Sequence, residues 1–343
     1  MPTDGVRERA RHPVQHCAQH RAQHWKVGLV VLMVLPVAAP VLFGGAIRGA
    51  IIGARGLSDS RLEGQGFPKR IVDPAGDVHV LASPPVRIAS TFLAADEILA
   101  ALVDPGRVAA VSRFVDAPET SNAVGIFPPS VTRIRAEAEQ IVELRPDLVF
   151  VTSFTDVNAV KLLQGAGVPL LRFSRFDALA DVLANVRLMG AAIGAEREAE
   201  VLIAVAQRRI EAVRARVSGR SRVRVLLYDV PAYSVGAGTL IDDMIDTAGG
   251  VNVVSELGLR GPVKLGLETV LSVDPAVIII PRYAENIDSM STLARNPAWT
   301  ALTAVRTRRV YHIPASALSV VSHHAVAGLE HLAAVLHPET KAP

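Results

Sequence analysis

The sequence predicts an α/β protein with two Rossmann-like lobes, each built on a parallel sheet and joined by one long helix. Strand and helix patterns alternate on both sides of a helical stretch, and such alternation produces parallel sheets covered by helices. Residues 139–149 and 268–278 also carry nearly the same pattern: a Glu opens a short helix, a Pro follows seven residues later, and a buried β-type run comes next. This period is too long for a solenoid and indicates two similar lobes.

Composition and charge exclude several classes of protein. The chain has 343 residues, half of them hydrophobic and only 4% aromatic, which is enough apolar material for two lobes of ordinary size. Lys and Arg number 36 against 33 Asp and Glu, and the excess lies before residue 27, so the remainder is neutral. A balanced chain offers no basic surface for nucleic acid.

The N-terminus carries an export signal. Residues 1–26 form a basic, His-rich cytoplasmic leader, and residues 27–47 form an apolar run without charge, interrupted by Pro36 and Pro40. Basic residues before an apolar run orient a chain for export, and the run is long enough to span a bilayer. Residues 27–47 are therefore either a signal peptide or a membrane anchor. Both alternatives place the rest of the chain outside the cytoplasm, in the periplasm or tethered to the inner membrane.

The leader holds two further features. Cys17, the only cysteine, precedes the apolar run, so the chain can form no internal disulfide and lacks a lipoprotein cysteine after the run. His12, His16, His20 and His24 recur every four residues and would form one stripe on a helix. The stripe indicates either a metal-binding tail or a low-complexity leader from a start codon assigned too early.

Residues 48–67 are predicted to be a linker, and residues 68–176 the N-terminal lobe. A β-hairpin over residues 70–81 opens this lobe, because the pattern alternates around a Pro-Ala-Gly-Asp turn. Asp96 and Glu97 lie near the start of its first helix, where the helix dipole favours acids. The predicted strands are residues 86–89, 108–111, 148–152 and 168–173, and the predicted helices are residues 94–102, 136–144 and 157–166.

Residues 177–218 are predicted to be a helical spine, and residues 219–343 the C-terminal lobe. The spine comprises helices over residues 179–193 and 196–217, and the second is about 33 Å long, enough to bridge two lobes. In the C-terminal lobe the predicted strands are residues 223–228, 277–280 and 309–313, and the predicted helices are residues 240–248, 267–273, 298–302 and 324–336.

The order of these motifs resembles the class III, helical-backbone periplasmic substrate-binding proteins of ABC importers, which carry ferric siderophores, cobalamin or haem. The matching segments are residues 85–99, 107–112, 139–149, 188–194, 246–252 and 268–280. The resemblance implies a ligand cleft between the lobes, and an ABC permease with its ATPase as the partner. It also implies that Glu139 and Glu268, one on each lobe, pair with arginines of the two-fold symmetric permease. The alternative interpretation of each Glu is complementarity to its helix dipole.

Ligands of open α/β sheets bind at the carboxyl ends of the strands. Aromatic residues are scarce in this chain, yet several lie at predicted strand ends beside arginines, a combination suited to a bulky chelate or corrinoid that carries negative charge. By position, Phe114, Tyr233 and Arg133 resemble ligand-contacting residues of the family, while core packing or a solvated loop charge are the alternatives. The predicted ligand residues are Phe92, Arg113, Phe114, Arg133, Phe154, Tyr233, Arg282 and Tyr283.

Other functions remain as alternatives. Haem binding would use an axial Tyr or His, for which Tyr233, Tyr283, His323 and His324 are available. A membrane-tethered ligand sensor not coupled to transport is the second alternative. The exported part has too few converging histidines for a bare metal ion, and the sequence lacks a nucleophile elbow, a P-loop and a convincing dinucleotide motif. We therefore expect a monomeric binding protein with no catalytic residues and no cofactor.

Overall fold

The computed structural model describes residues 60–73, 76–135, 137–229, 232–283 and 296–338. The predicted leader, the predicted membrane segment and most of the predicted linker lie outside these ranges. Among the described residues, no helix combines the length and the apolar composition that crossing a bilayer requires.

A small antiparallel sheet opens the described chain. Its strands are β1 (Arg61–Glu63), β2 (Lys69–Val72) and β3 (Val78–Leu81), with β2 in the centre. The predicted hairpin is therefore present as β2 and β3. The assignment of residues 61–63 to a linker was wrong, because they pair with β2 along its other edge. A strand of three residues is too short to show alternation, and only its pairing reveals it.

The N-terminal lobe contains a five-stranded parallel sheet in the order β6-β5-β4-β7-β8. Helices connect the strands, as the alternation predicted. The elements are β4 (Ile88–Ser90), α1 (Leu93–Leu102), β5 (Val108–Ser112), β6 (Thr132–Ile134), α2 (Ala138–Glu143), β7 (Leu148–Thr152), α3 (Val157–Gly165) and β8 (Leu170–Phe173), with short 3-10 helices at Pro105–Arg107 and Arg113–Asp116.

Two helices follow, α4 (Leu179–Ile193) and α5 (Glu196–Val217), with the predicted bounds. The face of α5 that carries Ala199, Ile203 and Ile210 is buried. Helices α4 and α5 approach closely at Gly190, where an added Cβ would lie 2.4 Å from the Cβ of Ala199. A larger residue at this position would push the two helices apart.

The C-terminal lobe contains a four-stranded parallel sheet in the order β11-β9-β13-β14, and β10 pairs with β12 in a separate antiparallel ribbon. The strands are β9 (Val223–Leu227), β10 (Tyr233–Val235), β11 (Gly250–Asn252), β12 (Pro262–Lys264), β13 (Val277–Arg282) and β14 (Val310–Pro314). The helices are α6 (Leu240–Thr247), α7 (Val253–Glu256), α8 (Leu267–Val273), α9 (Thr303–Arg306), α10 (Ala315–Leu318) and α11 (Ala325–Leu336). The helix predicted over residues 298–302 is a 3-10 helix, Pro297–Ala301.

Each lobe has its own hydrophobic core. Ile141 of α2 and Leu163 of α3 are buried against the first sheet, and Val270 of α8 is buried against the second, where Tyr228 and Trp299 pack edge to face with centroids 4.8 Å apart. Because the two cores are separate and the strands are parallel, each lobe presents the carboxyl ends of its strands as one edge.

Candidate functional site

The segments that follow the strand ends of the two lobes contact each other. Asn122 lies after β5 in the first lobe, and its Nδ2 donates to the carbonyl of Ser316, which lies after β14 in the second lobe, at 2.8 Å. The Ser322 hydroxyl of the second lobe donates to Glu97 of α1. Segments that follow the strands of the two lobes therefore meet at a seam, and ligands of parallel sheets bind beyond the strand ends.

Arg113 and Phe114 directly follow β5 and form one unit. The guanidinium lies 5.0 Å from the centre of the Phe114 ring. Arg113 is exposed and makes no ion pair with any described residue, while Phe114 is half-buried. This pair combines a free positive charge with an aromatic face, the two groups that a large anionic ligand would contact.

The two other predicted phenylalanines of this edge differ in their surroundings. Phe92, the N-cap of α1, packs its ring 6.0 Å from Phe173 and 6.1 Å from Phe176. Phe154 follows β7 and is 65% exposed, close in sequence to the equally exposed Val157. Phe92 therefore contributes mainly to packing, whereas Phe154 presents an open apolar surface.

Arg133 of β6 is engaged within the protein. Its Nε and Nη2 donate to both carboxylate oxygens of Asp116 at 2.9 and 3.2 Å. The remaining donors go to the carbonyls of Phe127, Pro128 and Val131, at 2.7–2.8 Å. These bonds occupy all five guanidinium donors. Arg133 thus holds the loop after β5, and a ligand would have to displace these bonds to reach it.

Tyr233, Arg282 and Tyr283 lie in the second lobe. Tyr233 opens β10, is 41% exposed and exchanges two backbone hydrogen bonds of 2.7 Å with Asp229. Arg282 ends β13 and is exposed. The Tyr283 hydroxyl donates to the buried Asp229 carboxylate at 2.9 Å, and burial together with this negative charge raises the pKa of the phenol well above its usual value. Tyr233 and Arg282 are accessible groups, and Tyr283 is held by Asp229.

The His323 and His324 rings lie just before α11 with centroids 4.0 Å apart and planes tilted by 38°. Burial, followed by the neighbouring charges of His324 and Arg209, lowers the pKa of His323 to about 3. Burial also lowers the pKa of His324. Both rings are therefore neutral at physiological pH. Across the described part of the chain, no group of three or more His, Cys, Asp or Glu residues could hold a metal ion.

Sequence reasoning missed the role of Asp96 and Glu97. The explanation by helix-dipole complementarity was incomplete, because the two residues are 0% and 1% exposed. Ser112 donates to Asp96 through its amide at 3.2 Å and through its hydroxyl at 2.5 Å, while Asn122 and Ser322 donate to Glu97. Burial raises the pKa of Asp96 to about 8 and also raises that of Glu97. Apolar residues all around α1 were the available signal, since such a helix buries every face.

Glu139 and Glu268 occupy equivalent places in the two lobes. Each lies exposed in the first turn of its short helix, α2 or α8. Neither makes an ion pair with a described residue. Six residues after each Glu, Arg145 and Asp274 adopt positive φ angles of 47° and 35°, directly before a proline. The repeat seen in the sequence is thus a repeat of backbone conformation.

The same arginine contact supports both helices. Arg87, just before β4, donates to the carbonyls of Leu144 at 2.6 Å and Arg145 at 3.3 Å. Arg224 of β9 donates to the carbonyls of Val273 at 2.7 Å and Asp274 at 3.5 Å. In each lobe an arginine at or just before the first parallel strand therefore satisfies the last carbonyls of the Glu-bearing helix, where the helix dipole is negative.

A cavity of about 470 Å³ lies elsewhere, beside α6 and β11, and none of the predicted ligand residues lines it. Its acidic side chains are engaged: Asp242 accepts from Asn252 and Ser255, Asp243 accepts from the amide of Leu179, and Asp246 pairs with Arg222. A negative wall with satisfied carboxylates does not suit an anionic ligand, so this cavity is distinct from the candidate cleft.

Two parallel-sheet lobes with facing strand ends, joined by a long helix, define a solute-binding protein of the two-lobe type. The chain belongs to the periplasmic binding protein family, whose model matches residues 88–317. Members of this family bind solutes for transport and are not enzymes.

Individual relatives agree with this assignment. The chain is 22% identical over 283 residues to the uncharacterised ABC transporter substrate-binding lipoprotein YvrC of Bacillus subtilis, covering 80% of this chain and 87% of that protein. It is 25% identical over 238 residues to a cobalamin-binding protein of Halobacterium salinarum, covering 68% of this chain and 63% of that protein.

Solved structures share the fold. The periplasmic haem-binding protein RhuT from Roseiflexus superposes with a TM-score of 0.63 at 24% identity, covering 73% of this chain and 97% of that one. The periplasmic vitamin B12-binding protein BtuF of Vibrio cholerae superposes with a TM-score of 0.60 at 19% identity, covering 74% and 97%.

Proposed function

We propose that this protein is the extracytoplasmic solute-binding component of an ABC importer. It captures an iron chelate or cobalamin at the lobe seam and delivers it to a permease driven by an ATPase. The observation that carries the docking role is the equivalence of Glu139 and Glu268. Each exposed carboxylate stands at the same point of the same strand–helix unit, so a two-fold symmetric permease would meet one acid on each lobe.

The proposed ligand surface consists of the accessible aromatic and cationic groups at the strand ends. In the first lobe, the proposed ligand contacts are Arg113, Phe114 and Phe154. In the second lobe, they are Tyr233 and Arg282. Arg113 and Arg282 make no ion pair with a described carboxylate, which favours a ligand with negative charge, and the aromatic faces favour a large flat one. Names of relatives are consistent with this class, since they include a cobalamin-binding protein and an Fe(3+) dicitrate-binding periplasmic protein of Escherichia coli.

Haem is the second candidate, because two of the structural neighbours are haem-binding proteins. An axial phenolate would come from Tyr233, since the Tyr283 hydroxyl is bonded to Asp229 and its raised pKa opposes ionisation. A tethered sensor that uses the same cleft without a permease is the further alternative, and it would leave Glu139 and Glu268 without a function.

A binding screen tests the proposal. Residues 57–343 would be titrated with cyanocobalamin, haemin, ferric dicitrate and a hydroxamate and a catecholate ferric siderophore, and followed by thermal shift and fluorescence quenching. A ligand at a hundred times its Kd stabilises the folded state by about 2.7 kcal/mol, which gives a clear shift in Tm. Binding of one iron chelate or of cyanocobalamin supports the proposal, and binding of haemin alone favours the second candidate.

A further inference from the structure

The loop that carries Arg113 and Phe114 is held at both ends by two adjacent carboxyl groups of α1. Ser112, just before the loop, donates to Asp96. Asn122, just after it, donates to Oε1 of Glu97 through its amide at 2.8 Å and through its side chain at 3.0 Å. The loop is therefore anchored to one rigid helix at both of its ends.

Glu97 differs from Asp96 because its second oxygen crosses the seam. Oε2 accepts the hydroxyl of Ser322, a residue of the second lobe that is 0% exposed. Ser322 in turn accepts the backbone amide of His324 at 3.3 Å. Asn122 adds a parallel link, since its Nδ2 also reaches the carbonyl of Ser316. One buried carboxylate thus bonds to the end of the loop and to the opposite lobe at once.

We propose that Glu97 is a positioning residue that couples the loop of residues 113–121 to the second lobe through Asn122 and Ser322. The proposal rests on the proposed function only in treating this loop as part of the ligand site. Three donors converge on a carboxylate that water does not reach, and hydrogen bonds to a charged, buried acceptor are stronger than those between neutral groups. Loss of the Ser322 bond to Glu97 should therefore loosen the bonds between Glu97 and Asn122 on the other side of the seam.

Hydrogen exchange at single-residue resolution, in the ligand-free full chain, tests this coupling directly. The amide of Asn122 is bonded to Glu97, and the amide of Ser112 is bonded to Asp96. Ser322→Ala removes a donor from the opposite lobe without touching the loop. We expect the exchange of the Asn122 amide to become about tenfold faster, as the loss of one charge-assisted bond permits. Exchange of the Ser112 amide should stay unchanged.

Ser255→Ala is the matched control. Ser255 also belongs to the second lobe, and its hydroxyl donates to the carboxylate of Asp242, which accepts an Asn side chain as well. That cluster lies within one lobe, so this substitution should leave the Asn122 amide unaffected. Unchanged exchange at Asn122 in Ser322→Ala, or an equal effect in Ser255→Ala, would overturn the coupling.

A second variant works in the reverse direction and keeps the size of the side chain. Glu97→Gln replaces charged bonds by neutral ones and should accelerate exchange at both Asn122 and His324, on the two sides of the seam. The double variant with Ser322→Ala should exchange no faster than the more affected single variant, because both changes break the same unit. Additive effects would contradict the proposal. The measurement needs no ligand, so a failed ligand screen would count against the proposed function and leave this result interpretable.

Discussion

Asp96 and Glu97 are neighbours on α1, yet their carboxyl groups hold different parts of the molecule. Asp96 bonds within its own lobe, and Glu97 reaches across the seam. The hydrogen bonds of Arg133 likewise reveal a role that its sequence position did not. Arg133 was predicted to contact the ligand, but its guanidinium donors hold the loop after β5. At the residue scale, sequence position locates a group near the cleft, and only its hydrogen-bond partners show whether it is free to bind.

The raised pKa of Asp96 predicts a pH-dependent stability. The folded protein binds this proton more tightly than the unfolded chain, so the stabilisation is complete below about pH 4 and is lost as the pH rises through about 8. Asp96→Asn cannot titrate. We expect the free energy of unfolding of the unmodified protein to fall relative to this variant by about 1 kcal/mol per pH unit across that range. Urea unfolding at pH 5 and pH 8 measures the difference, and parallel pH profiles would contradict it.

The accessible aromatic groups predict a loss of ligand affinity on truncation. Phe114→Ala and Tyr233→Ala should each raise the Kd of the ligand found in the screen by about tenfold or more, as the loss of a buried aromatic contact does in other interfaces. Isothermal titration measures the change.

Phe67→Ala is the control for this prediction. Phe67 also lies beside a cation, with Lys69 Nζ 4.9 Å from its ring centre, but it lies in the connection between β1 and β2 and not at an end of the parallel strands. Titration curves for Phe114→Ala and Tyr233→Ala that match the Phe67→Ala curve would remove both residues from the ligand site.

At the scale of elements, the repeat of strand, arginine contact and Glu-bearing helix is the clearest internal symmetry. Asp147 and Ala276 donate their amides to the carbonyls of Arg87 and Arg224, at 3.1 and 3.0 Å. In each lobe one arginine therefore bonds to the end of the Glu-bearing helix through its side chain, and to the segment after that helix through its backbone carbonyl. The same short sequence pattern folds in the same way twice because these contacts lie inside one supersecondary unit.

Charge reversal of both Glu139 and Glu268 is expected to abolish uptake while leaving ligand affinity unchanged. If Glu139 and Glu268 pair with permease arginines, as proposed, the two substitutions replace attraction by repulsion at both lobes. Each single reversal should reduce uptake less, since individual exposed pairs contribute only about 0–1 kcal/mol.

Uptake of labelled ligand by cells, with ligand titration of the purified variants, measures both quantities. Glu143→Arg, an exposed acid on the same helix as Glu139, is the control and should transport normally. Normal uptake by the double reversal would exclude docking through these residues.

At the scale of the whole molecule, segments that follow the strands of the two lobes contact each other, and α4 and α5 connect the lobes along the chain. The accessible groups lie at or after the ends of the parallel strands, while Glu139 and Glu268 are exposed on α2 and α8, helices whose other faces pack in the two cores. A solute-binding protein must be located in the compartment where it captures its solute. The localisation of this protein is therefore a test of its proposed function.

Cell fractionation is expected to find the protein outside the cytoplasm. A basic leader before an apolar run is the sequence pattern that predicts export. Intact mass of the exported protein distinguishes the two alternatives for residues 27–47, since a membrane anchor keeps them and a signal peptide is removed. A cytosolic pool of full-length chain, in cells where a cytosolic marker is correctly retained, would contradict the export signal.

The amino-acid sequence by itself determined the α/β class, the two lobes, the bounds of α4, α5 and α8, and the equivalence of Glu139 and Glu268. These features depend on local periodicity and on contacts within short segments, which a sequence displays directly. Strand β1, the bonds that occupy Arg133 and the burial of Asp96 and Glu97 were decided only by the tertiary structure. Their partners are distant in the chain (Glu97 and Ser322 are 225 positions apart), and no local pattern encodes which distant groups will meet.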